Sequence, residues 1–350
     1  MLKYNTVFFL VCYFCLNSVQ AFSNNLLDSD FYNNPNKPFY NNLYNKAGYY
    51  DFQNNGILNL APNISFNGLT NRNAKFAING VDANFLNLPF NSGTLLNTFF
   101  ISKIEPSASN KSLNTEAISN YININTISTS NFTNKSQDSG IAINSSVSNP
   151  NFIMNNNLIG YFKTDNTNIL LGINYFYLKN SFDDYKWNNS VSFFNNYNNI
   201  ISFEYAPLGK DVSFKITNIN FLSNAKKDIS YSTEAQNYFA SNVLKQKSLG
   251  NFLSFSYEAN PKDNSLWHYS SSIAFNNQKI IFNRSSSLIT VPNIDYKEIS
   301  YKVQNISNVD LFYNNTALTY GVNISKEDTN YYNYNNKALW PAGEKFNYQI

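Results

Sequence analysis

The strongest constraint on this chain is a period-two alternation of apolar and polar residues. It recurs from about residue 129 onward, with no long helical period between. Leu253, Phe255 and Tyr257 alternate with Ser254, Ser256 and Glu258. Trp267, Tyr269, Ile273 and Phe275 share one phase, and His268, Ser270, Ser272, Ala274 and Asn276 the other. Leu318, Tyr320, Val322 and Ile324 repeat the pattern. Side chains on a strand point alternately to opposite faces, so this pattern predicts sheets with one apolar and one polar face. Turn clusters such as Pro207-Leu208-Gly209-Lys210-Asp211 and Asn260-Pro261-Lys262-Asp263-Asn264 join neighbouring strands. The simplest topology is an antiparallel meander. Alternation alone does not say whether the apolar face meets lipid or a sandwich core.

The N-terminus predicts export. Lys3 precedes an apolar run over residues 7–16, too short to span a bilayer as a helix. Val19-Gln20-Ala21 then supplies small residues before a cut, which reads as a signal peptide over 1–21 ending at Ala21. Both cysteines, Cys12 and Cys15, fall inside it, so no thiol is left for a disulfide or a thiolate metal site. No later apolar run is long enough for a transmembrane helix, but that says nothing of a barrel.

Composition supports order rather than disorder. Aromatic residues make up 17% of the chain and charged residues only 13%, and disordered chains are poor in aromatics. Asn, Lys, Ile, Phe and Tyr share A- and T-rich codons, which accounts for part of the bias and for chance sequons such as Asn63-Ile64-Ser65. The net charge of +3 gives no electrostatic footprint for nucleic acid.

One stretch is more specific. Residues 60–82 contain Pro62, Gly68, Arg72, Ile78, Asn79, Gly80 and Val81 at set spacings. Ile101-Ser102-Lys103-Ile104-Glu105 follows, and then Ala117-Ile118-Ser119-Asn120-Tyr121-Ile122-Asn123-Ile124-Asn125-Thr126. In order and spacing these resemble the plug of TonB-dependent outer-membrane receptors. That resemblance implies an all-β-dominated chain in the bacterial outer membrane. It divides into a signal peptide at 1–21, an Asn-rich leader at 22–50, a plug-like domain at 51–128 and part of a transmembrane β-barrel at 129–350. It implies uptake of a scarce nutrient of the cobalamin or metal-chelate class, with outer-membrane lipid as surroundings. Segments 249–282 and 301–324 have the hairpin rhythm of the early barrel of cobalamin-type receptors. Gly68 and Gly80 fall where a turn needs positive φ. Arg72 and Glu105 are placed to pair inside an enclosed plug, the alternative being two solvated surface charges.

The departures from the family are also informative. The loop between Glu105 and Ala117 is short and has no glycine, and Ser119-Asn120 stands where the family has a Gly-Gly pair. No equivalent of the short coupling strand that pairs with the TonB protein occurs between residues 22 and 50. Family barrels close at about 22 strands around the plug, whereas residues after 129 suffice for roughly ten. The expectation is therefore an open wall in a truncated or split receptor, with a second chain carrying the missing strands.

No enzyme signature is present, and no cofactor is expected. There is no G-x-S-x-G, G-x-G-x-x-G or P-loop, and the one histidine, His268, lies on a strand. Asp183-Asp184 reads as solvated loop charge, with weak Ca²⁺ binding the lesser alternative. Two other classes stay open: a small passive outer-membrane barrel or adhesin, and a secreted soluble β-sandwich.

Overall fold

The computed structural model describes residues 50–53, 63–66, 69–70, 74–83, 98–108, 120–132, 138–148, 152–179, 191–207, 211–228, 243–259, 267–284, 293–311, 314–332 and 343–349. The expected signal segment and nearly all of the leader lie outside these residues. Strands dominate throughout, with single 3-10 turns at Thr98–Phe100 and Thr129–Asn131.

Three sheets form. The first is small: β1 (Tyr50–Gln53), β2 (Asn63–Phe66) and β3 (Leu69–Thr70), in sequence order. The second combines β4 (Ala74–Ile78), β5 (Val81–Asp82), β6 (Ile101–Ala108) and β7 (Asn120–Thr126) in the order β5-β4-β7-β6. Here β7 lies parallel to β4 and antiparallel to β6. Pro106 has no N–H to donate, and it falls on β6, an edge strand of this sheet. The strand holding Ile78 and the strand holding Ile104 therefore flank a common neighbour, and strands β4 to β7 do not continue the meander.

The third sheet is the wall. It comprises β8 (Ser139–Ser148), β9 (Phe152–Lys163), β10 (Thr167–Lys179), β11 (Val191–Tyr205), β12 (Val212–Asp228), β13 (Val243–Ala259), β14 (Trp267–Arg284), β15 (Asn293–Leu311), β16 (Asn314–Tyr332) and β17 (Gly343–Gln349). All ten pair with their sequence neighbours, antiparallel throughout. Among the described residues β8 and β17 do not pair with each other, so the wall is open. One row of opposed residues runs Ile143, Leu158, Ile173, Asn199, Asn220, Asn251, Asn277, Lys297, Asp328. It crosses β8 at mid-strand and β16 near its C-terminal end. That stagger is the shear a sheet needs when tilted strands curve about an axis, so the wall has the geometry of part of a barrel.

The faces of the wall are inverted relative to a soluble protein. Large apolar side chains stand exposed on one side: Ile141 at 66%, Leu171 at 52%, Ile299 at 52% and Tyr320 at 51%. Buried on the other side are amides and hydroxyls, with Asn155, Asn174 and Asn198 each at 0%, interspersed with apolar residues such as Ile159, Leu170, Ile200 and Phe252. Phe255 falls on the exposed side and Ser254 on the buried one, the opposite faces that their alternation predicts without saying which is exposed. No second sheet covers the apolar face among the described residues, so the two packed layers of a β-sandwich are not formed.

Candidate functional site: a hairpin seated against the polar wall

The site grows from a two-residue turn. β4 and β5 are joined by Asn79 and Gly80, with Ile78 opposite Val81. Both turn residues have positive φ, 52° and 79°. Two-residue hairpins favour this geometry because its twist matches that of the strands, and Asn-Gly tolerates it best. Gly80 thus fills the role assigned to it from sequence. Asn79 carries the second positive φ, which the spacing argument had not assigned.

The turn is fastened to the end of β7. The Thr126 backbone N–H donates to Asn79 Oδ1 at 2.9 Å, and Asn79 Nδ2 donates to Thr126 Oγ1 at 2.9 Å. The Asn79 N–H donates to the Ile124 carbonyl at 2.9 Å, and the Gly80 N–H to Asn123 Oδ1 at 2.8 Å. These four bonds hold the tip of the hairpin against the end of β7.

The residues that follow the turn meet the wall. Asn323 Nδ2, on β16, donates to Asp82 Oδ2 at 3.1 Å. Asn276 Nδ2, on β14, donates to the Asp82 carbonyl at 3.5 Å and to Glu298 Oε2 on β15. Asp82, Asn276 and Glu298 are each nearly fully buried. Asn79 Nδ2 also reaches Thr217 Oγ1 on β12 at 3.4 Å. Buried polar groups are costly unless hydrogen-bonded, so these contacts give the hairpin a defined seat rather than a greasy one.

Apolar packing completes the seat. Phe99, Phe100, Ile101 and Ile127 are buried, as are Ile200, Ile219 and Phe252 on the wall. Phe100 approaches Gly172 on β10 so closely that a Cβ built there would lie 2.7 Å from its ring. Gly172 makes room for the aromatic.

Of the residues singled out from sequence, Gly80 belongs to this site. Gly68 and Arg72 lie outside the described residues, as do Asp183 and Asp184. Glu105 sits on β6 opposite Asn123, but its side chain lies outside the described residues. The site residues missed from sequence are Asp82, Asn276, Glu298 and Asn323. Their only sequence signal was phase: each shares its strand's polar face, and phase does not say which polar residues meet. Among the described residues no group of three or more His, Cys, Asp or Glu is placed to hold a metal ion. The arrangement binds one part of the chain to another.

An open, sheared, antiparallel wall with a mixed sheet against its polar face defines an all-β fold of the barrel class. Neither a protein-family model nor a curated protein matches the sequence. Solved structures do match the fold. The Serratia marcescens hemophore receptor HasR, solved with its hemophore HasA and heme, aligns with a TM-score of 0.62 at 12% identity, covering 82% of this chain and 42% of that one. The copper transporter OprC aligns at 0.59 with 11% identity, covering 85% and 46%. The ferric yersiniabactin uptake receptor FyuA from Yersinia pestis aligns at 0.55 with 11% identity, covering 88% and 57%. At such identities the likeness is one of fold. The chain spans about half the length of the structures it matches.

Proposed function

We propose that this chain is an outer-membrane receptor of the TonB-dependent kind, or the N-terminal part of one, acting in uptake of a scarce nutrient. Residues 51–128 are read as its plug and residues 129–350 as the early part of its barrel. The observation that carries the reading is the row of large apolar side chains exposed on one face of the wall, with amides buried among apolar residues on the other and the β4–β5 hairpin hydrogen-bonded to them. A soluble protein has no use for that polarity, whereas a lipid-embedded barrel requires it. Connection lengths agree. At one end they are short, at 164–166, 206–211, 260–266 and 312–313; at the other they include 180–190, 229–242 and 333–342. Short turns on the periplasmic side and longer loops outside are the usual asymmetry of such barrels. The strands β14 to β16 run to 18 and 19 residues, beyond the roughly ten that a tilted span needs.

Within this reading the substrate belongs to the cobalamin or metal-chelate class. Further strands pair with the free edges of β8 and β17, and a second polypeptide is one source of them. The coupling partner TonB is left to experiment, since residues 22–50 carry no clear coupling strand.

The test is fractionation followed by a gel-mobility assay. The chain, expressed with its N-terminus intact, should appear in the outer membrane, and its mobility should change on heating only when the complementary strands are supplied. Recovery as a soluble periplasmic monomer would sink the receptor reading.

A further inference from the structure

We infer that a level line of exposed lysines across β10 and β13 to β16 marks the outer border of the lipid-facing band and holds the phosphate-bearing headgroups of outer-leaflet lipids. This rests on the membrane reading above and adds to it how deep the wall sits and what it meets at its upper edge.

The lysines are Lys179, Lys247, Lys279, Lys297 and Lys326, all exposed. Each shares the phase of an exposed apolar residue on its own strand: Leu171, Phe255, Phe275, Ile299 and Ile324, in the same order. They stand at nearly one height above the short-turn end of the wall. Lys179 lies 12 residues from Thr167, Lys247 12 from Ala259, Lys279 12 from Trp267, Lys326 12 from Asn314 and Lys297 14 from Leu311. Below that height no charged residue occurs in the outward phase of these strands. The inward phase is not so restricted, with Glu258 on β13 and Lys302 on β15. Neutral amides such as Asn251 and Asn277 do occur in the outward phase, so charge is excluded there rather than polarity. At the corresponding height β11 has Phe193 and β12 has Asn224.

The line runs oblique to the strand pairing. Lys326 opposes Ile299, Lys297 opposes Asn277 and Lys279 opposes Leu249. Each of those partners sits two residues from the lysine of its own strand. On tilted strands a level line cuts across the pairing rows in this way. A dozen residues at about 3.3 Å each, tilted about 40°, rise roughly 30 Å, the thickness of a hydrocarbon core. A lysine at that height lays its methylenes along the apolar surface and puts its ammonium among the headgroups.

The acids of this region stand on the far side of the line. Asp295 and Asp328 lie two residues beyond Lys297 and Lys326, away from the apolar band. Lys326 bridges Asp328 at 3.7 Å. Among the described residues the other four lysines make no ion pair, which leaves their ammonium groups to an outside anion. Their charge and their place on the rim of the apolar band together fit an anionic lipid.

The experiment uses the full chain, extracted from the outer membrane and returned to phosphatidylcholine vesicles. Trace spin-labelled phosphatidic acid or spin-labelled phosphatidylcholine is added, and the immobilised fraction of each reports its contact with the protein. Phosphatidic acid should be held about threefold more than phosphatidylcholine. Lys247→Gln, Lys279→Gln and Lys297→Gln together should bring that ratio down to about one, with insertion unchanged. Should the triple variant fail to insert, Lys279→Gln alone is expected to lower the ratio. Equal retention of the two lipids by the inserted parent chain, or a ratio undiminished in the lysine variants, overturns the inference. So does loss of the preference on adding inorganic phosphate at constant ionic strength, which would assign the lysines to a soluble anion. Absence of the chain from the outer membrane overturns the membrane reading, and this inference with it.

Discussion

Asn79 and Thr126 close a reciprocal pair: the Thr126 N–H donates to the Asn79 carbonyl oxygen of the side chain, and the Asn79 amide donates back to the Thr126 hydroxyl. The two residues lie 47 positions apart, yet together they lock a turn at positive φ onto the end of a parallel strand. Two substitutions separate the turn from the clamp. Asn79→Gly keeps the backbone geometry and loses the side-chain bonds, at about 1–2 kcal/mol. Asn79→Ala loses the bonds and adds the strain of a left-handed residue, about 1–2 kcal/mol more. Hydrogen exchange over residues 74–83 should rise in both variants and more in Asn79→Ala. Equal protection in the two would remove the strain argument.

Phe255 and Ser254 are neighbours with opposite surroundings, one on the exposed apolar face and the other buried. If that face meets hydrocarbon, Phe255→Arg should cost about 2–4 kcal/mol of folding into a bilayer. In water the same change is nearly neutral, since surface substitutions usually are. Refolding yield into lipid vesicles, compared with Phe255→Leu, decides. An undiminished yield for Phe255→Arg argues that this face does not meet lipid.

Gly172→Ala should loosen the contact between the mixed sheet and the wall. Its added methyl falls on the Phe100 ring and on Ile200, both buried. Overpacking of this kind costs about 1–3 kcal/mol. Pairing it with Phe100→Leu should restore part of the loss. Protease cleavage within residues 98–132 is the readout, rising in the single variant and falling back in the double. An unchanged single variant means that Phe100 has space the packing does not suggest.

The N-terminal pattern predicts processing after Ala21. Mass spectrometry of the envelope-associated chain should find Phe22, or a residue close to it, at the mature N-terminus. Recovery only of chains that retain Met1 would refute export by a cleaved signal.

The sequence by itself determined the class of secondary structure, the strand phase and the turn position at Gly80. Each of these follows from local chemistry. Side chains alternate on a strand, and a turn that needs positive φ favours glycine. It also placed Phe255 and Ser254 on opposite faces and allowed for about ten wall strands, the number found among the described residues. Which face is buried was not legible, because an apolar stripe looks the same against lipid as against a core. Nor were Asp82, Asn276, Glu298 and Asn323 legible as a group. They come from four strands, and only the curvature and stagger of the wall bring the polar faces of β14 to β16 around the tip of β5. Period-two alternation specifies a face for each strand. The register and shear that decide which faces meet belong to the whole sheet, and those only the tertiary structure fixed.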